Sequence, residues 1–136
     1  MGLAEKRAVK EFQEGQYPNL KSAIDTACGF DVPIKVEWET LSEDGMSHLF
    51  SDAIAKIYFQ PVIDGFKEIC QDDMGKEALQ GALKEVVFRN SGSHSNPNAA
   101  IHFEGGVLTV DHKPFSNIDD VSDRTKHLVS LLEKNL

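Results

Sequence analysis

Apolar residues in this chain recur in two alternating rhythms, and the rhythm changes mark its elements. Leu3, Ala8, Val9 and Phe12 form a weak helical stripe over residues 3–14, ended by Gly15. Tyr17, Leu20, Ile24, Ala27 and Cys28 recur at spacings of three and four, with Gly29 placed as a C-terminal cap. Val32 to Glu39 then switches to period two. Val32, Ile34, Val36 and Trp38 share one face, and Pro33, Lys35, Glu37 and Glu39 the other, which predicts a half-buried strand. Pro33 has no amide proton, so it belongs at the strand start or on an edge.

From Ser47 to Lys84 the period returns to that of a helix, and Pro61 divides the tract. Leu49, Phe50, Ala53, Ile54, Ile57 and Tyr58 form one stripe, and Val62, Phe66, Ile69 and Cys70 the next. Asp72 or Asp73 suits the cap of a further helix with Ala78, Leu79, Ala82 and Leu83 inward. Gly75 and Gly81 weaken that helix by about 1 kcal/mol each relative to alanine. Glu85 to Arg89 reads as a strand, and Asn90 to Asn98, dense in Ser, Asn, Gly and Pro, as a surface loop.

The stretch Ala100 to His112 carries the strongest local signal. Two apolar alternations flank Gly105-Gly106, and a type I′ turn needs positive φ at both central residues. A two-glycine loop pairs Glu104 with Val107, Phe103 with Leu108, His102 with Thr109 and Ile101 with Val110. Ile101, Phe103, Leu108 and Val110 then face the core, and His102, Glu104, Thr109 and Asp111 face away. Asn117 is placed to cap a closing helix, followed by Ile118, Val121, Thr125, Leu128, Leu132 and Leu136 at helical spacing. Together these elements predict an α+β fold. The expected architecture is a single domain over residues 1–136, a two-layer sandwich whose mostly antiparallel sheet of about four strands is covered by helices.

Charge narrows the function classes. The formal net charge is −8, which disfavours a nucleic-acid or anionic-membrane partner, since both need Lys and Arg to meet phosphates. Residues 37–77 hold ten carboxylates against Lys56, Lys67 and Lys76, nearly the whole net charge. Such a segment is a solvated surface or one that steers a basic partner. Cys28 and Cys70 lie in apolar helical contexts and read as reduced core residues of a cytoplasmic protein. No apolar leader, no myristoylation pattern and no run of about 18 apolar residues stands out.

Candidate chemistry is sparse. His102, Asp111 and His112 in and just after the hairpin are the best candidate ligand-binding residues, because imidazole beside carboxylate is the raw material of a general base or a metal site. Period two also forces polar side chains onto any solvated strand face, and no HxH or HExxH spacing favours a metal. His48 and Asp52 sit four apart, where an exposed helix pair is the plainer reading. Gly105-Gly106 joins strands and is no phosphate loop, and no GxSxG is present. No cofactor is therefore expected. Phe59 and Phe115 fall outside the helical stripes. Either they are exposed as partner-binding residues beside Glu37 and Glu39, or the helix phase is displaced by one residue. The favoured expectation is a non-enzymatic protein-interaction or assembly module, of inhibitor or immunity type or a homodimer. The alternative is a small-molecule binder or small enzyme with its site near residues 102–112.

Overall fold

Two helices open the chain and turn on Gly15, whose amide closes onto Glu11 O at 2.9 Å. They are α1 (Leu3–Glu14) and α2 (Gln16–Cys28), and Gly29 at φ 78° caps the second in the left-handed conformation. The computed structural model describes residues 1–136. Strand β1 (Ile34–Val36) is shorter than the alternation predicts. The chain leaves the sheet at Glu37, whose carbonyl accepts from both the amide and the hydroxyl of Thr40, and Trp38–Thr40 forms a 3-10 turn. That turn places the Trp38 ring edge-on to Phe12 at 5.8 Å and Tyr17 at 5.4 Å, so aromatic packing outweighs strand continuation.

A second 3-10 turn, Ser47–Leu49, leads into one helical rod: α3 (Phe50–Ile54), a π turn (Ala55–Phe59) and α4 (Gln60–Ile69). Pro61 explains the π turn. In this wide turn the Gln60 amide bonds to Ala55 O, five residues back. The next bond in that register would run from residue 61 to Lys56 O, and proline has no proton to give. Arg124 fills the gap, its Nη2 donating to Lys56 O at 3.3 Å. The extra residue in the turn also shifts the helix phase, so Ile57, Tyr58 and Phe59 are all fully buried in succession. Of the two alternatives for Phe59, the displaced phase holds and the exposed partner-binding residue is corrected: Phe59 packs against Phe88 at 4.7 Å, Tyr17 at 5.7 Å and Phe12 at 5.8 Å.

Helix α5 (Asp73–Ala82) is capped by Asp72, whose Oδ1 accepts from the Gly75 amide at 2.8 Å. It leads to β2 (Glu85–Arg89). A short helix α6 (Pro97–Ala100) precedes β3 (Ile101–Glu104) and β4 (Val107–Asp111), and α7 (Val121–Asn135) closes the chain. Asn117 is not the cap of α7. It sits at φ 53°, its carbonyl accepts from the Asp120 amide and Arg124 Nη1, and Asp120 occupies the N-cap position.

The fold is α+β, with a mixed sheet of order β1-β2-β4-β3. The hairpin forms with the expected register, Ile101 opposite Val110 through Glu104 opposite Val107, and both turn glycines have positive φ. The expectation of a mostly antiparallel sheet is corrected: β1 pairs with β2 and β2 with β4 in parallel, and only β3–β4 is antiparallel. The hairpin inserts its second strand beside β2 and leaves its first on the edge. Burial gives the reason, since Leu108 and Val110 of β4 are fully buried while His102 and Glu104 of β3 are exposed. Polar, charged side chains are suited to an edge, where they discourage further pairing. The turn is held to β2 by Gly106 O, which accepts from the Lys84 amide at 2.7 Å. The inward sheet residues Val86, Phe88, Leu108 and Val110 join helical residues such as Ile57, Val62, Phe66, Leu128 and Leu132 in one cluster of 26 buried residues.

Two glycines of α5 differ in what surrounds them. A Cβ on Gly75 would lie 1.7 Å from Ile69 O, whereas one on Gly81 meets nothing within 4 Å. Gly81→Ala is expected to stabilise the protein by about 0.5–1 kcal/mol. Gly75→Ala should destabilise it by roughly 1–3 kcal/mol through overpacking. Urea unfolding of the two variants checks the opposite signs.

Candidate functional site

The outward face of the sheet takes the alternate residues of each strand, most of them polar, with Val87 and Val107 as apolar exceptions. Register carries Lys35 of β1, Val87 of β2, Thr109 of β4 and His102 of β3 across it as one row, with Arg89 beside Asp111 in the next. The parallel strands β1, β2 and β4 end together, and ligands of open α/β sheets gather beyond such carboxyl ends. Glu37, Arg89 and Asp111 line up there. Arg89 Nε donates to Asp111 Oδ2 at 3.0 Å, and its Nη1 lies 3.9 Å from Glu37 Oε2.

Asp111 is the anchor of this corner. Its Oδ1 accepts from the Ser91 amide at 2.8 Å and the Gly92 amide at 3.3 Å, and its Oδ2 accepts from Arg89 and from the Ser91 hydroxyl. Burial by itself would raise the carboxyl's pKa. The bonds from Ser91, Arg89 and Gly92 outweigh it and bring the group down to about 2. The charge is therefore permanent near neutral pH, and both oxygens are spent on holding the loop after β2.

That loop walls a cleft of about 370 Å³, lined among others by Arg89, His94, His102, Glu104, Thr109 and Asp111. His102 Nε2 donates to Ala99 O at 2.7 Å, which leaves Nδ1 as the free ring nitrogen of the neutral form. The loop is fastened to the segment after β4 in two places. Lys113 N donates to His94 O at 2.7 Å, and Asn117 Nδ2 to Ser95 O at 3.2 Å. Three non-glycine residues of these two segments, Ser93, Phe115 and Asn117, hold positive φ. Such conformations persist only where surrounding contacts impose them.

His112 does not belong to the cleft. It is fully buried on the other side of the sheet end, 6.5 Å from the Tyr58 ring, and the Tyr58 hydroxyl donates to its carbonyl. Its Nδ1 donates to Lys113 O at 2.7 Å, and Nε2 has no partner. Burial pushes its pKa below the ordinary value, and nearby Arg124 and His94 push the same way, outweighing the Lys113 carbonyl. Of the three candidate ligand residues, then, His102 and Asp111 share the cleft and His112 is sealed in the core. Among the candidate partner residues, Phe59 is buried, Phe115 is half-buried with its ring 6.5 Å from Phe50, Glu37 leans toward Arg89, and Glu39 alone is exposed.

Sequence reasoning passed over Arg89, Ser91 and His94. The signal was the polar run Asn90–Ser95 directly after a strand, where backbone amides and hydroxyls are available to bind a carboxylate. It also gave no sign that Cys28 and Cys70 are neighbours. They lie side by side where α2 and α4 end, and burial first, then the neighbouring thiol, pushes Cys28 up. Both are free and buried, a setting that suppresses thiolate chemistry. No group of three His, Cys, Asp or Glu side chains is placed to hold a metal ion, and no helix is long and apolar enough to cross a membrane. Comparison with known proteins finds no matching family model, no matching curated protein and no matching solved structure.

The Asp111 network makes a pH prediction. The folded-state value, about 2, lies below the ordinary 3.8, so its contribution is fully present above about pH 4 and is lost as pH falls toward 2. Asp111→Asn is expected to lower stability at pH 7 by roughly 2–3 kcal/mol and to flatten the fall in stability between those two pH values. Denaturant unfolding at a series of pH values reads both effects.

Proposed function

We propose that this chain is a protein-interaction module whose outward sheet face is the recognition surface. One observation carries the reading: the carboxylate and the second imidazole that would have to work with His102 are already committed. Both Asp111 oxygens accept hydrogen bonds from the chain itself, and His112 is sealed away from the cleft that holds His102. A general base needs a free lone pair within reach of a substrate proton. Asp111 has none to offer and the His112 lone pair faces no cleft, which leaves His102 Nδ1, an imidazole nitrogen with no hydrogen-bonded carboxylate to orient it.

What remains accessible in the cleft is a fixed pattern of charge. Arg89 is tethered between Glu37 and Asp111, and His102 and Glu104 project from the edge strand. Side chains on strands keep their spacing, and preorganised polar groups lower the ordering cost of association. A partner surface with a carboxylate for the Arg89 guanidinium and a cation for Glu104 fits this pattern. The acidic stretch of residues 37–77 gives such a partner less help than its density in sequence suggests. Asp52 already pairs with Lys56, and Asp64 accepts from Gln60.

The small-molecule reading keeps one point in its favour, the cleft volume of about 370 Å³, which falls within the range of small-ligand pockets. The two readings separate on one experiment. Tagged protein is used to retain partners from lysate at about 0.05 M and 0.5 M salt, which differ strongly in screening. The expected result is a partner held at low salt, released at high salt, and lost with the exposed-face variants His102→Ala and Glu104→Lys. Absence of any retained partner, with metabolite-induced NMR shifts confined to His94 and His102, overturns the module in favour of the ligand site.

A further inference from the structure

A second surface, remote from the sheet face and independent of the reading above, carries its own assignment. Where α4, α5 and α7 end or begin together, a groove of about 400 Å³ lies open. Ile69, Met74, Ala78 and Leu136 contribute apolar surface to it, and Met74 is 81% exposed. Glu68, Asp72 and Glu133 also line it, and no lysine or arginine does. An apolar floor with carboxylates and no cations is half of a complementary pair.

The other half is on α1. Val9, Phe12 and Glu5 are its buried positions. Residues 3, 6, 7 and 10 fall on the opposite side by helical spacing, and all four, Leu3, Lys6, Arg7 and Lys10, are exposed. Leu3 is 61% exposed. Lys6 and Arg7 make no ion pair, and Lys10 reaches only Glu14 at 4.0 Å across solvent. This face carries a leucine, three cations and one carboxylate, Glu14, so it is net positive and opposite in sign to the groove, with apolar surface on both. The two surfaces cannot meet within one molecule. Helix α1 packs beside α2 and α3, at the beginning of the rod that runs from Phe50 to Ile69, and the groove is at that rod's far end. A rod of this length spans roughly 30 Å.

We propose that copies of this chain associate head to tail, the α1 stripe of one copy seated in the α4–α5–α7 groove of the next. Leu3 lies against Met74 and Ile69, and Lys6, Arg7 and Lys10 face Glu68, Asp72 and Glu133. Because the contact joins two different surfaces at opposite ends of the rod, each added copy presents a fresh groove, and the series grows past the dimer unless its rotation closes a ring. This open series is the proposed alternative to the homodimer expected from the sequence.

Sedimentation velocity over about 10–500 μM protein, at about 0.05 M and 0.5 M salt, tests this. The wild-type weight-average mass is expected to climb past that of a dimer at low salt and fall back at high salt. The paired variants Lys6→Glu with Arg7→Glu, and Glu68→Lys with Glu133→Lys, should each weaken association at least tenfold while keeping the native circular dichroism spectrum. Mixing the two in equal amounts should restore it, since each then meets a groove or stripe of opposite sign. Met74→Ser should weaken association without changing its salt dependence, and His102→Ala with Glu104→Lys should leave it unchanged, which separates this surface from the sheet face. A wild-type mass that stays at monomer, stops at dimer, or is indifferent to the charge pairs overturns the proposal. So does a monomer that binds a synthetic Leu/Lys amphipathic helix in the groove, which would make the occupant a foreign partner.

Discussion

Proline carries no amide proton, and at residue 61 that single deficiency organises the join between helices and sheet. The rod from Phe50 to Ile69 passes through Pro61 by widening into a π turn, which leaves Lys56 O without an intrahelical donor. Arg124 of α7 supplies one. The same guanidinium donates to Asn117 O at 2.9 Å and Ile118 O at 2.7 Å, so it ties the segment after β4 to the rod. Arg124 is 1% exposed and has no carboxylate within ion-pair distance. Burial pulls its pKa down from the usual arginine value, though a guanidinium stays charged through such a shift. Three carbonyl dipoles are what make a charge tolerable there, since an isolated buried ion is costly. One turn along, Tyr58 bonds to the His112 carbonyl, so the π turn grips the chain at the very end of β4.

From that grip the polar corner inherits its rigidity. β4 is fixed at its end by Tyr58 and along its length by β2 and β3, so Asp111 stands still. The loop after β2 then wraps a stationary carboxylate, and Ser91 and Gly92 give it their amides. One wall of the cleft is therefore shaped by Arg89 and Asp111, groups that have already found partners. A surface of this kind recognises by fit and fixed charge, which is the physical content of the interaction reading.

How much of this was legible in the sequence follows from which signals are local. The hairpin was readable to the residue because two adjacent glycines allow few alternatives. The stripes of α2 and α7 were readable because their periods run undisturbed over several turns. The parallel pairing was not, since nothing in Glu85–Arg89 tells whether the first or second strand of a later hairpin lies beside it. Phe59 was misplaced because a helical wheel assumes a constant angle per residue, and the π turn adds one residue to the count. At the site, Asp111 was legible, but the hydrogen bonds that occupy both its oxygens were not. Its neighbour in sequence, His112, was grouped with it, though successive residues of a strand point to opposite faces. Arg89, Ser91 and His94 needed the strand order before they could be seen together.

The sheet order also dictates a history for each molecule that refolds from the full chain. The hairpin closes on itself with four residues on either side of its turn, whereas β1 meets β2 only after residues 37–84 have been folded out of the way as helices. Loop closure over that span must precede any reward from the parallel contacts, so the hairpin forms early and the β1–β2 seam late. Until then β2 has an unpaired margin bearing Val86 and Phe88, both destined for the core. The slowest seam of this protein is thus also its stickiest, and crowding during refolding of the full chain bears hardest on the interval before β1 docks.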